Sequence, residues 1–313
     1  MPYGTKKAEI VSSFGRHAQL ATQPRGSPFY AVHIIIERHT GKTMDAFIEV
    51  SRPQEASNIY NQFQRRAAEG RQLRLGDREV EIELATQEEL MRELFPRAKN
   101  VQWEGNTPTV IRDDTEYYPG VRAQGFDGFL GSEEMVMLLK YTEAPHRVRI
   151  SHSPHSSLLT YSQSPFIQRC PQRVHEAIIS ILAKYPWHAP TAALMSDRKK
   201  IFDSVMMSVK HLSLSCRRHP NVDLNPVLLQ ELATAALSCP GLNERQKSSI
   251  AGQLHSHGYG SYALGHGVAV RLGGSHELSS FWPFEALALK PGVSKEVLKV
   301  SSVPPSLLQH PTD

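Results

Sequence analysis

Apolar and polar positions alternate along this chain with two periods, and the changes between them set out its elements. Residues 7–20, KAEIVSSFGRHAQL, place Ile10, Val11, Phe14 and Ala18 at helical spacing before QPRGSP breaks the pattern. The run from Phe29 predicts a strand over about 29–37, and Asp45-Ala46-Phe47-Ile48-Glu49-Val50 alternates as a second strand over about 44–50. The polar loop Arg38 to Thr43 joins them, with Gly41 in it. Pro53 sits where the first turn of a helix tolerates it, and Ala56, Ile59, Tyr60, Phe63 and Ala67 give one apolar face through residue 68. After the Gly70 to Asp77 turn, REVEIEL sets Val80, Ile82 and Leu84 against Glu79, Glu81 and Glu83, which predicts a half-buried strand.

The second half of the chain has helical spacing. FPRAKNVQWEGNTPTVIRDDTEYYPG is rich in turn residues and reads as a linker or irregular segment over 96–131. Ser132 caps a helix with Glu133 and Glu134 in its first turn and Met135, Leu138 and Leu139 as its stripe. A Ser-, Pro- and His-rich stretch over 151–166 interrupts. A helix over about 171–185 carries Val174, Ile178, Ile181 and Leu182 on one side, and another over 197–217 carries Ile201, Val205, Val209, Leu212 and Cys216. Asn225 and Pro226 open a helix over 226–238, and Asn243 with Gln246 makes a capping box for one over 243–254. From His255 onward Gly, Ser, His and Pro dominate, so 255–313 reads as a flexible tail. No repeat of fixed period is visible.

Composition narrows the class. The chain has 313 residues, 40% of them hydrophobic and 21% charged, which is ordinary for a soluble globular protein of about two domains. A net charge of +4 and a pI near 8.9 suit a nucleic-acid partner only where the charge clusters. The three cysteines, Cys170, Cys216 and Cys239, are too few and too widely spaced for a disulfide framework or a zinc site, as expected of a reducing interior. No apolar run approaches the roughly 20 residues of a membrane span, and the first 30 residues lack a signal peptide's apolar core. The expectation is an intracellular protein of nucleus or cytoplasm with no membrane partner.

Several chemistries are tested and set aside. Gly41-Lys42-Thr43 resembles the tail of a phosphate-binding loop, but the glycine required five residues earlier is Ile36, and a strand follows where the motif needs a helix. A β-hairpin is the better reading of this stretch. There is no Gly-x-Ser-x-Gly turn, and His152, His155 and His175 have no fixed relation to a nucleophile. His255, His257 and His266 form a compositional tract without cysteine or carboxylate partners, and Pro220 ends the pattern that holds Cys216 and His219. The expectation is no enzyme activity, no cofactor, no metal and no small-molecule substrate.

The order helix, strand, strand, helix, strand is that of a βαββαβ domain without its first strand. MPYGTKKAEIV resembles the exit from the first strand of an RNA-recognition motif (RRM) into its first helix. GKTMDAFIEV resembles the third strand of that motif, and GRQLRLGDREVEIEL the turn into its fourth. Residues 1–95 thus resemble the divergent RRM-containing proteins of fungi, in which a segment like PQRVHEAIISILAKYPWH is also found. The resemblance implies an α+β fold: a ferredoxin-type αβ sandwich lacking its first strand, then a mainly α-helical region over 132–254, which is either a degenerate second RRM or a helical domain. A disordered tail follows. In that arrangement the first strand lies centrally, between the third and fourth. Its loss leaves their backbone groups to pair directly, to borrow a strand from another molecule, or to leave the domain marginal. It also suggests that Met1 is an internal or misassigned start.

The family stacks bases on aromatic residues of its third strand. Strand periodicity places Phe47 there, on the face of Asp45 and Glu49 and opposite Ala46, Ile48 and Val50. Phe47 is therefore a candidate base-stacking residue; the alternative is that it packs beneath a loop or helix laid across the sheet. Glu81 and Glu83 are expected on the same face, where four carboxylates repel phosphate. The basic residues lie in loops: Arg38 and Lys42 in the hairpin, and Arg65, Arg66, Arg71, Arg74 and Arg78 around the turn before the last strand, balanced in part by Glu55, Glu69 and Asp77. The expected function is binding of single-stranded RNA through Phe47, Lys42, Arg38, Arg71, Arg74 and Arg78. The rival is a protein-interaction adaptor that receives a partner's basic or apolar segment on the sheet face.

Overall fold

A computed structural model of the chain describes residues 1–15, 20–21, 28–111, 126, 128–143, 165–189, 193–218, 223–264 and 297–302. Residues 151–164 of the Ser-, Pro- and His-rich stretch and most of the predicted tail lie outside these residues. The first helix, α1 (Lys7–Ser13), is shorter than the apolar spacing predicts: Gly15 follows it at φ 82°, a left-handed conformation that ends a helix readily. A single helical turn over Pro28–Ala31 replaces the start of the predicted first strand. Then β1 (Val32–Glu37) and β2 (Lys42–Glu49) form the expected antiparallel hairpin, with Gly41 at φ 74° in its turn.

Next come α2 (Pro53–Ala68), with Pro53 in its first turn, then β3 (Arg74–Leu75) and β4 (Arg78–Ala85). A helix that the sequence reading did not include, α3 (Gln87–Leu94), follows, started by a capping box between Thr86 and Glu89. The segment expected to be an irregular linker contains a second hairpin, β5 (Val101–Glu104) and β6 (Thr107–Val110), turning on Gly105 and Asn106. Gly105 supplies a positive φ of 59°, which a two-residue hairpin turn favours. Trp103 anchors this hairpin by stacking on Phe95, with ring centroids 5.9 Å apart.

The helices are α4 (Ser132–Glu143), α5 (Pro165–Arg169), α6 (Gln172–Lys184), α7 (Ala193–Arg218), α8 (Pro226–Leu237), α9 (Glu244–Ser256) and α10 (Ser261–Leu264). The caps of α8 and α9 follow the sequence, whereas Ser132, expected to cap α4, is its first residue, and the Gly131 N–H before it donates to the Glu134 carboxylate at 2.9 Å. Asn225 accepts from the Leu228 N–H at 3.0 Å, and Asn243 and Gln246 exchange both bonds of a capping box.

A last strand, β7 (Val297–Ser302), lies within the segment 255–313 read as a flexible tail, as do the end of α9 and all of α10, and these elements overturn that reading for their residues. The strand enters the centre of the main sheet, whose order is β1-β2-β7-β4-β3, and pairs antiparallel with both neighbours. The gap expected between the strands of Phe47 and Ile82 is therefore filled by the chain itself. The expected direct pairing and the borrowing from another molecule are both replaced by this arrangement. The described chain is α+β, with a five-stranded antiparallel sheet, a two-stranded hairpin sheet and a helical layer.

The sheet separates two cores. On one face Ile34, Ala46, Ile48, Val80, Ile82, Leu298 and Val300 pack against Ile10 and Phe14 near α1 and against Ala56, Ile59 and Phe63 of α2. On the other, Ile35, Ile36, Phe47, Ala85 and Val297 join the helical core that includes α6, α7 and α8. A bulge between Ile34 and Ile36 lets Ile35 and Ile36 both serve the helical side. Leu298 and Val300 are 0% exposed on one face and Val297 is 0% exposed on the other. Val300→Asp should therefore cost about 3 kcal/mol or more of stability, while Ser301→Thr beside it should stay within about 0.5 kcal/mol. Denaturant midpoints of the two variants check this, and similar midpoints would contradict a central, doubly buried strand.

Candidate functional site

The structure divides the predicted site residues between surface and core. Phe47 points to the face that the strand period predicts, but it is 1% exposed and built into the helical core, so its ring has no open side for a base. The covered-face alternative describes its position. Arg38 is likewise buried: it pairs with Glu134 of α4 at 3.4 Å and donates to the Leu94 carbonyl oxygen. It fastens the β1–β2 turn to α3 and α4, as does the Tyr141 hydroxyl, which donates to the His39 carbonyl oxygen at 2.5 Å. Neither Phe47 nor Arg38 is a surface contact residue.

Lys42, Arg71, Arg74 and Arg78 are exposed, as are Arg65 and Arg66 in the last turn of α2. Arg71 pairs with the Glu69 carboxylate, Arg74 donates to the Asp77 carbonyl oxygen at 3.0 Å, and the Arg66 guanidinium lies over the Phe63 ring at 5.5 Å. Among the described residues no carboxylate pairs with Arg65, Arg78 or Lys42. The α2 end and the segment leading to the β3–β4 turn are joined by the Arg71 N–H, which donates to the Arg66 carbonyl oxygen at 2.8 Å, and Glu9 of α1 reaches the turn, where it accepts from the Gly76 N–H at 2.7 Å.

The expected set of four repelling carboxylates is broken up. Asp45 is paired with Lys299 of β7 at 3.4 Å, and Glu83 lies directly across from Lys299 in the sheet. Glu81 and Glu83 remain exposed. Glu49 is buried at 2% exposure and belongs to a polar network that the sequence reading missed.

That network joins four elements. Glu49 of β2 accepts from Lys184 Nζ of α6 at 2.9 Å, from Gln87 Nε2 of α3 at 2.9 Å and from His33 Nε2 of β1 at 3.0 Å. Lys184 also donates to Gln87 Oε1 at 3.0 Å, and the Ser180 hydroxyl lies 3.1 Å from His33 Nδ1. With a proton on Nε2 the neutral imidazole donates to Glu49 and accepts from Ser180, which satisfies both ring nitrogens without a charge. Burial holds His33 below its ordinary range, outweighing the opposing pull of Glu49; the Lys184 and Lys7 charges push the same way as burial. One carboxylate and one ammonium already balance here, so a proton on His33 would leave the core net positive.

Ser180, His33 and Glu49 have the connectivity of a hydrolase relay. Ser180 lies inside α6 at 2% exposure, however, and an acyl-transfer nucleophile has to meet its electrophile. The arrangement positions α6 on the sheet. A second clamp holds the helical layer internally, where Asp197 accepts from the Phe129 N–H at 2.8 Å, from the Tyr185 hydroxyl at 2.9 Å and from Lys200 at 3.0 Å. Among the described residues no group of three His, Cys, Asp or Glu side chains is placed to hold a metal ion, and no helix is long and apolar enough to cross a membrane. His152, His155, His219 and His266 lie outside the described residues.

Comparison with known proteins gives two matches. Residues 1–105 match the family model described as a domain of unknown function (DUF8400), and residues 157–256 match another, a domain of unknown function (DUF8399). No curated protein and no solved structure matches the chain. The network around Glu49 bridges the two matched regions, because His33, Glu49 and Gln87 lie in the first and Ser180 and Lys184 in the second. β7 lies in neither.

The sign of the pH effect follows from His33. Its folded pKa is below the unfolded value near 6.5, so the unfolded chain binds more protons in the interval between them, and stability rises with pH there. The contribution is fully present above about pH 6.5 and is lost as pH falls through the folded value. His33→Gln, which keeps a donor toward Glu49 but does not titrate, should flatten the fall in denaturant midpoint between about pH 7 and pH 5. An unchanged slope in the variant would assign the acid sensitivity to other groups.

Proposed function

We propose that the protein binds single-stranded RNA without catalysing a reaction on it, gripping the phosphate backbone through the basic rim of Arg65, Arg66, Arg71, Arg74 and Arg78. The observation that carries this reading is the exposure of all five arginines along one stretch of chain whose acidic counterweights are Glu69, Asp77 and Glu79, with Glu9 at the Gly76 N–H. The sheet order supports it: β7 is central and antiparallel to both neighbours, as the first strand is in the arrangement that residues 1–95 resemble, and α1 and α2 cover one face of the sheet. The mode of binding differs from the family's. Phe47 is enclosed and the open end of the sheet carries Glu81 and Glu83, so bases find neither a stacking surface nor a favourable potential there. Contacts from the rim are phosphate contacts, which give affinity with little sequence preference. The natural setting is intracellular, in nucleus or cytoplasm.

The adaptor reading, in which no RNA is bound, loses the sheet-face site expected for it, because that face is covered by the chain's own helical layer, and it would have to use another surface. A titration with mixed-sequence single-stranded RNA at several salt concentrations separates the two. On the RNA reading log affinity falls linearly with log salt, and replacing Arg71, Arg74 and Arg78 together by Gln reduces the slope by roughly 0.7 for each phosphate that is no longer neutralised. Phe47→Leu leaves RNA affinity unchanged, whereas truncating an exposed stacking residue would weaken binding by about 1–3 kcal/mol. Absence of binding, or binding indifferent to salt, moves the assignment to the adaptor.

A further inference from the structure

We infer that the channel between β2 and β4 is a peptide-binding site for an extended strand, and that residues 297–302 are its resident, tethered ligand. The site is defined by what its walls lack. Without β7 the sheet falls into two separate pairs, β1-β2 and β3-β4, whose facing edges each present a row of backbone donors and acceptors. An added strand satisfies both rows at once, the main-chain mode by which strand addition gains affinity.

Specificity comes from the side-chain positions. The strand must be apolar at Leu298 and Val300, which enter the core shared with α1 and α2, and at Val297, which enters the helical core; all three are 0% exposed. At position 299 the requirement changes. Lys299 lies between Phe47 of β2 and Glu83 of β4 and pairs with Asp45, so this part of the channel reads a positive charge between two carboxylates. Ser301, opposite Glu81, is half-buried, and a small polar residue fits there. The ligand class is therefore an extended peptide with apolar residues at 297, 298 and 300, a cation at 299 and a small polar residue at 301.

Two features make the occupant a ligand rather than an ordinary strand. The matched region 1–105 contains every other strand of the main sheet but not this one, and the partners of β7 are far away in sequence, Val300 pairing with Ala46. The connection from Leu264 keeps the strand on the same chain as its two partner edges, so a free peptide competes as a second molecule against an intramolecular partner.

The test uses the folded full-length chain with a protease recognition sequence introduced between residues 270 and 290. After cleavage the C-terminal fragment should co-elute with the body on size exclusion. A labelled peptide of residues 294–305 should replace it over time, with saturable binding. The same peptide carrying Leu298→Asp or Lys299→Glu should bind at least tenfold more weakly, and the uncleaved protein should take up far less of the unsubstituted peptide than the cleaved one. Release of the fragment on cleavage overturns the inference, whether or not the body stays folded. So does equal uptake of the unsubstituted and substituted peptides.

Discussion

The hydrogen bonding of the β2 and β4 edges is the constraint on which the rest of the structure depends. Each edge is a row of N–H and C=O groups in the middle of a molecule whose two sides are packed with apolar residues, where unpaired backbone groups cost too much to leave. β7 satisfies both rows, and because its side chains alternate, it also completes both cores. Leu298 and Val300 continue the surface that receives α2. Val297 continues the surface that receives the helical layer. The side-chain period of two thus makes one short strand part of two separate packings.

The helical layer depends on the sheet through α6, a helix buried on almost every side. Such a helix would ordinarily be apolar throughout. This one carries Arg173, His175, Ser180 and Lys184, and each has a partner: Glu176 at 2.5 Å, Ser208 of α7 at 2.6 Å, His33 of β1 at 3.1 Å and Glu49 of β2 at 2.9 Å. A buried ion pair contributes little net stability compared with well-packed apolar residues, because desolvation offsets the Coulomb attraction. Its effect here is geometric. A rotation or slide of α6 by one residue would separate Lys184 from Glu49 and Gln87, leaving charges unpaired in the core, so the network favours one docking position over its neighbours.

What could be read in the sequence was what is determined locally. The β1–β2 hairpin, the α2 start at Pro53 and the caps at Asn225 and Asn243 rest on residues a few positions apart, and the structure has them there. Two local signals were present but unread: Thr86-x-x-Glu89, which starts α3, and Gly105-Asn106 between two alternating runs, which turns the β5–β6 hairpin. β7 was hidden for a different reason. Its six residues lie in surroundings rich in Gly, Ser, His and Pro, and what makes them a strand is the pair of edges formed near residues 46 and 82. The site followed the same division. Period two gave the direction of Phe47, but the helical core that encloses it is built from later parts of the chain, and no spacing within 44–50 could announce it.

The closed face also limits where a polyanion could lie. At the open end of the sheet Lys299 offsets Asp45, but Glu81 and Glu83 remain exposed, so the local balance is negative. Around the α2 end and the β3–β4 turn the balance is positive by a small margin, since five exposed arginines meet Glu69, Asp77, Glu79 across from Arg74, and Glu9 at the Gly76 N–H. Exposed charges are screened over about 8–10 Å at physiological salt, so each of the two regions acts mainly on what touches it. On the proposed reading an RNA strand therefore follows the rim and avoids the sheet. Its affinity comes from counterion release, and sequence discrimination, where it exists, comes from elements other than the aromatic of β2. On that reading two uses of a sheet are separated: its faces serve internal assembly, and only its periphery is left for a partner.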